Sequence, residues 1–318
     1  MDRRKFLIGT SAAGALLWHG SAHAQFGGLG NVVRGLGAPK LPKFFSGPQP
    51  VSTNIKDAVY GEPASDGLRP GTRVASLSSL QRTDYGGFVL AAGSYQLSSQ
   101  SYCLHAGTHG PGGGDAYLYG PLKGSAQDAI ATILRNSVAK PEISQSDIQL
   151  LLWAIISRSK FEDLNGQLKA VASQLLSPKQ ITSLNRNALS ILTSSEFQRL
   201  TGGMPGPLRS IVEAESRMRS MFSGPALAFQ DMERVAMLAG AVPLGEGSLD
   251  VPAIRWSRHP DGYLVRYTPR GYSNTLIEIH VEPGSSAVGK IYDPAVQVAI
   301  PCNTSRQRIG LSGRARRA

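Results

Sequence analysis

Between Ser125 and Gly240 the apolar residues recur at helical spacing, and beyond Pro243 they alternate one by one. Helices bury a stripe of period 3.6 and strands a face of period 2, so the change of period divides the chain into kinds of element. Ile130, Ile133, Leu134 and Val138 share one helical face, with Ser125 as the expected cap and Asp128 in the first turn. A second helix is expected after Ser144, with Asp147 in its first turn and a stripe of Ile148, Leu151, Leu152 and Ile155. Further stripes fall at Leu168, Val171, Ala172 and Leu175, at Leu208, Ile211 and Val212, and at Leu227, Met232, Val235 and Leu238, the last between Pro225 and Gly240. Strands are expected ahead of this block, at Phe88–Leu90 and Tyr95–Leu97. They are expected again behind it, at Tyr263–Tyr267, Ile277–Val281 and Val296–Ile300. The order of strands, helices and then antiparallel strands predicts an α+β fold. It allows one domain, or a domain over 71–243 followed by a β-rich region over 244–318.

The N-terminus reads as an export signal. Arg3-Arg4-Lys5-Phe6-Leu7 opens a modest apolar run to Trp18, and Ala22-His23-Ala24 closes it with a small-x-small cleavage pattern. Residues 1–24 are therefore expected to direct twin-arginine export, and the mature chain to work in the periplasm or outside the cell. Residues 25–70 are rich in Gly and Pro and are expected to form a disordered linker. No segment is apolar for long enough to span a bilayer. The formal charge is +11, of which the signal carries Arg3, Arg4 and Lys5 against Asp2. A basic exported protein is expected to meet a surface or envelope component, with polyanionic material favoured, and not nucleic acid. Arg314, Arg316 and Arg317 read as a solvated basic tail. No pattern names a cofactor.

Two places carry chemistry. The first is Ser101-Tyr102-Cys103-Leu104, followed by a Gly-rich loop and Tyr117. The second is the helix with Gln149 and Trp153. Gln149 lies one turn before Trp153 on a helix that is apolar nearly all round. A buried amide is unfavourable without hydrogen-bond partners, so something must account for Gln149.

Cys103 within Tyr-Cys, Tyr117, Ile130-x2-Ile133-Leu134 and Gln149-x3-Trp153 together resemble the thioester domain of bacterial surface adhesins, over about residues 85–160. The resemblance implies an internal thioester with Cys103 as the sulfur and Gln149 as the acyl donor, and Trp153 shielding the bond from water. Such a bond is a stored electrophile that a target's amine or hydroxyl can open, leaving the protein covalently attached. The chain departs from the family's pattern at Ile148 and Leu151, where Thr and Ala are usual.

The same cysteine admits other chemistries. Cys103 and Cys302 are the only two cysteines, and in an oxidising compartment a disulfide between them is expected as the structural alternative. Cys103, His105 and His109 offer a weak metal-ligand set, with Asp115 as a fourth candidate. An exported enzyme using Cys103 as nucleophile, with His259 or His280 as base, is the remaining alternative.

Overall fold

The extended run around Tyr95 becomes one long strand, β1 (Gly93–Cys103), and five later strands complete its surroundings. They are β2 (Tyr117–Pro121), β3 (Leu264–Pro269), β4 (Asn274–Val281), β5 (Gln297–Pro301) and β6 (Ile309–Ala315). In this computed structural model the described residues are 48–58, 61, 63–69, 73–204, 206–224 and 227–316. The export signal over 1–24 and the first part of the expected linker lie outside them.

The six strands pair antiparallel in the cyclic order β1, β6, β5, β2, β3, β4 and back to β1. The sheet closes on itself as a small barrel, which removes the exposed edges of an open sheet. Alternation sets what fills it. Tyr95, Leu97, Tyr117, Tyr119, Val265, Tyr267, Ile277 and Ile279 are buried together in one apolar cluster. Inside it the Tyr267 hydroxyl donates to Gln297 Oε1 at 2.6 Å, and Gln297 Nε2 donates to the Tyr263 hydroxyl at 3.1 Å, so these three buried side chains satisfy one another.

All the α-helices of the described residues lie in the chain between β2 and β3. They are α1 (Gln127–Asn136), α2 (Gln145–Ile156), α3 (Gly166–Leu175), α4 (Pro178–Arg186), α5 (Ser194–Thr201), α6 (Gly206–Phe222) and α7 (Phe229–Ala236). The expected α+β architecture is present. α2 starts where its sequence says, with the Ser144 hydroxyl accepting from Asp147 N–H. Every residue of α2 from Ile148 to Ile156 is buried. At about 1.5–3 kcal/mol for each large side chain removed from water, this helix is a main contributor to the second apolar cluster, between helices and barrel. No helix of the described residues is long and apolar enough to cross a membrane.

Several expectations need correction. Ser125 does not cap α1: its hydroxyl donates to the carbonyls of Pro48 and Gln49, and the helix begins at Gln127. Those contacts belong to a larger difference. Residues 48–58, expected to lie in the linker, are packed on the core, with Val51, Thr53 and Ile55 buried. The last helix ends at Ala236, and Met237–Leu238 turn into a short strand paired with Thr108–His109. The basic tail is not wholly solvated, because Arg314 lies in β6 and donates to the Ile143 carbonyl at 3.1 Å. The boundary near residue 243 divides no structure, since β1 and β2 from before it alternate with strands from after it in one sheet.

Candidate functional site

Cys103 is the last residue of β1 and pairs with Ile309 of β6. Three things converge on it from distant parts of the chain. α2 brings Gln149 and Trp153, one turn apart on one side of the helix. The segment entering β6 brings Gln307, two residues before the partner of Cys103. All four side chains are buried.

Gln149 answers the question raised by its buried amide. Its Oε1 accepts from the Cys103 N–H at 2.8 Å, and its Nε2 donates to the Cys103 carbonyl at 3.0 Å. The carboxamide thus pairs with both main-chain groups of one residue, as a neighbouring strand would. Gln149 fixes the backbone that carries the sulfur.

The sulfur itself meets other groups. Trp153 Nε1–H donates to Cys103 Sγ at 3.3 Å. Sγ stands 2.6 Å from the His105 carbonyl oxygen and 2.8 Å from Gln307 Oε1. A thiol has one proton, so only one of these contacts can be a hydrogen bond. The other presses a sulfur lone pair against an acceptor oxygen. Gln307 Nε2 is directed away, toward the carbonyls of Thr108 and Ala236, each at 3.4 Å. Its main-chain N–H donates to the His109 carbonyl at 2.8 Å. The carboxamide is held with its oxygen at the thiol and its nitrogen between two acceptors.

Burial, partly offset by the Trp153 hydrogen bond, pushes the Cys103 thiol up to about 12. The thiolate would therefore be a poor resident of this site but a good transient one, because an indole N–H is already aimed at it.

An aromatic cover closes the site. Phe229 of α7 stacks on Trp153 with ring centroids 5.6 Å apart, and Tyr272, in the turn between β3 and β4, lies 6.2 Å from the same ring. The Tyr272 hydroxyl donates to Glu233 of α7. Phe229, Glu233 and Tyr272 are each half-buried, unlike the residues beneath them.

The other expected site residues go elsewhere. Cys103 and Cys302 are both free thiols and are not bonded to each other. Cys302 has its main chain engaged with Ala116 and Leu249. His105 turns Nε2 to Arg308 Nη1 at 2.9 Å, and burial and that cation together push its imidazole well below its usual range. A nitrogen that accepts from Arg308 is not offered to a metal, and among the described residues no three His, Cys, Asp or Glu groups gather as ligands. His109 is buried in the short strand beside Met237–Leu238, and the Asp115 carboxylate pairs with Arg306. His259 stacks on Tyr263 at 4.3 Å, and His280 Nδ1 lies 2.9 Å from the Ser94 hydroxyl, so each ring has a structural neighbour.

Gln307 was not anticipated. It sits in a polar stretch, Asn303 to Arg308, where an amide raises no question. The one signal available was the alternation of Ile309 and Leu311 directly after it, which marks a strand whose start would carry it inward. Compared with family models, curated proteins and solved structures, the chain matches none.

Proposed function

We propose that this protein is an exported attachment protein that stores an internal thioester between Cys103 and Gln307 and spends it on one covalent bond to a surface or envelope target. The contact of 2.8 Å between Cys103 Sγ and Gln307 Oε1, both fully enclosed, carries this reading. In this reading the acyl role that the family resemblance assigned to Gln149 passes to Gln307. Gln149 keeps the strand end in place.

The chemistry balances within the chain. The Cys103 sulfur attacks the side-chain carbonyl carbon of Gln307, the thiol proton passes to the carboxamide nitrogen, and the C–N bond breaks to release ammonia. The carbonyls of Thr108 and Ala236 hold that nitrogen as it leaves. Trp153 N–H steadies charge on sulfur in both directions of the reaction. Enclosure by Trp153, Phe229 and Tyr272 keeps water from the product. Export rests on the residues before Gln25, and the net positive charge favours encounter with anionic envelope material.

Intact mass of the purified mature protein tests the reading. A mass low by one ammonia, with a Cys103–Gln307 cross-link in the peptide map and methylamine added at Gln307, is expected. A full mass, with Cys103 taking up a thiol reagent once the protein is unfolded, would overturn it.

A further inference from the structure

The aromatic cover of the site is half-exposed, and it holds a carboxylate. Phe229, Glu233 and Ala236 fall on one face of α7, at the spacing i, i+4, i+7. The first stacks on Trp153 and the last accepts from Gln307 Nε2. Glu233 lies one turn after Phe229, and its hydrogen bond from Tyr272 places its carboxylate at the aromatic cover over Trp153. Tyr272 reaches Glu233 with its hydroxyl, while its ring sits against Trp153. The charge of Glu233 is felt at the sulfur, where it opposes ionisation. Cys103, Gln149, Trp153 and Gln307 are closed off, whereas Phe229, Glu233 and Tyr272 meet solvent. In the thioester reading, these three are the partly exposed side chains that a nucleophile on this side would meet first.

We propose that Glu233 takes the proton from the nucleophile that opens the thioester, and that Tyr272 is the positioning residue that holds its carboxylate in place. This inference rests on the thioester reading. An attacking amine forms a bond from nitrogen to the acyl carbon of Gln307, and the carbon–sulfur bond breaks. Glu233 receives the proton from nitrogen and returns it to the departing Cys103 sulfur, so a thioester and an amine become an amide and a thiol. A tetrahedral nitrogen that keeps its extra proton is a better leaving group than the thiolate, so without a proton acceptor the adduct falls back. The new amide nitrogen occupies the place from which ammonia departed, facing Thr108 O and Ala236 O.

The test uses the whole mature protein with methylamine as probe, and Glu233→Ala, Glu233→Gln and Tyr272→Phe as variants. Intact mass before any methylamine is added reports the thioester. If the wild type has lost no ammonia, the thioester reading fails at that step, apart from anything concerning Glu233. If the ammonia is lost in wild type and variants alike, methylamine incorporation is expected to slow about 100-fold in Glu233→Ala and Glu233→Gln. Added formate should restore a large part of the rate in Glu233→Ala, where it fits the vacated space, and none in Glu233→Gln. Tyr272→Phe should slow incorporation about tenfold. An unchanged rate in both Glu233 variants overturns the proposal. So does a slowed rate in Glu233→Ala that formate leaves unmoved, because that is the mark of a structural role.

Discussion

Gln307 Oε1 lies 2.8 Å from the sulfur of Cys103, while Gln149 holds the backbone of that same residue through both atoms of its amide. Two glutamines from opposite parts of the chain therefore meet one cysteine in different roles, and substitution separates them. Gln307→Met keeps the side-chain volume but has no carboxamide. It should abolish the loss of ammonia while changing stability by less than about 1.5 kcal/mol. Gln149→Ala leaves the buried N–H and carbonyl of Cys103 without partners and opens a cavity. It should lower stability by about 2–5 kcal/mol. Urea unfolding and intact mass on the same samples check both. Ammonia loss surviving in Gln307→Met would return the acyl role to Gln149.

The thiol of Cys103 gives the site a pH signature. In Gln307→Met there is no acyl partner, so Cys103 remains a thiol. Its ordinary value is 9.0 and burial lifts it to about 12 in the folded chain. Between those values the unfolded chain gives up the proton and the folded chain keeps it. The folded state then binds more protons, so stability falls as pH rises through this window. Below pH 9 the contribution is constant. Native alkylation of Cys103 should be negligible at pH 8 and rise about tenfold per pH unit toward pH 11. Timed labelling with iodoacetamide, read by peptide mass, measures it. Ready labelling at pH 8 in the folded variant would contradict the enclosure described.

How much of this could be read in the sequence follows from the range of each interaction. The stripes of α1 and α3 were plain because one-sided burial repeats every 3.6 residues within a single short window. α2 is buried all round, yet Ser144 and Asp147 still marked its start. The buried amide of Gln149 was visible as a problem needing partners, and the partner residue was Cys103. That it pairs with the backbone and not the sulfur depends on where β1 ends against α2, which no local pattern encodes. Barrel closure was less legible still. β6 contains Gly310, Ser312, Gly313 and Arg314, so it resembled a polar tail, and its place is set by pairing with β1 some two hundred residues earlier. Gln307 could enter the site only once that register was known. The packed segment 48–58 was hidden by composition, because Pro48 and Pro50 read as linker while Val51, Thr53 and Ile55 do the packing.

Trp153 is the one group that touches the sulfur with a proton and covers it with a ring. Trp153→Phe removes the N–H and keeps most of the cover. A lost hydrogen bond to charge developing on sulfur is worth about 1.5–3 kcal/mol. Methylamine opening should therefore slow by about ten- to a hundredfold, with stability reduced by a smaller factor than for Trp153→Ala. Rates of methylamine incorporation in the two variants, alongside their urea midpoints, distinguish donation from shielding. Faster opening in Trp153→Phe would mean that shielding dominates and donation is minor.

Gly124 pins the segment 48–58 to the barrel in a way that leaves no room for a side chain. Its φ is +135°, and a Cβ there would lie 2.1 Å from the Pro50 carbonyl oxygen and 2.7 Å from Val51 Cα. Both obstacles are main chain, so a rotamer change cannot relieve them. Ser52 N–H donates to the Lys123 carbonyl at 2.8 Å, Ala126 N–H donates to the Pro50 carbonyl at 3.0 Å, and the Thr53 hydroxyl donates to the Pro121 carbonyl at 2.8 Å. Gly124→Ala must either strain its own backbone or push this segment off, losing the burial of Val51 and Ile55. Destabilisation of about 3 kcal/mol or more is expected. Limited proteolysis should then cut within 48–58 in the variant while the barrel stays resistant, and removal of the segment by design should reproduce the same loss. Equal resistance in wild type and Gly124→Ala would show that the segment tolerates displacement and contributes little to holding the site.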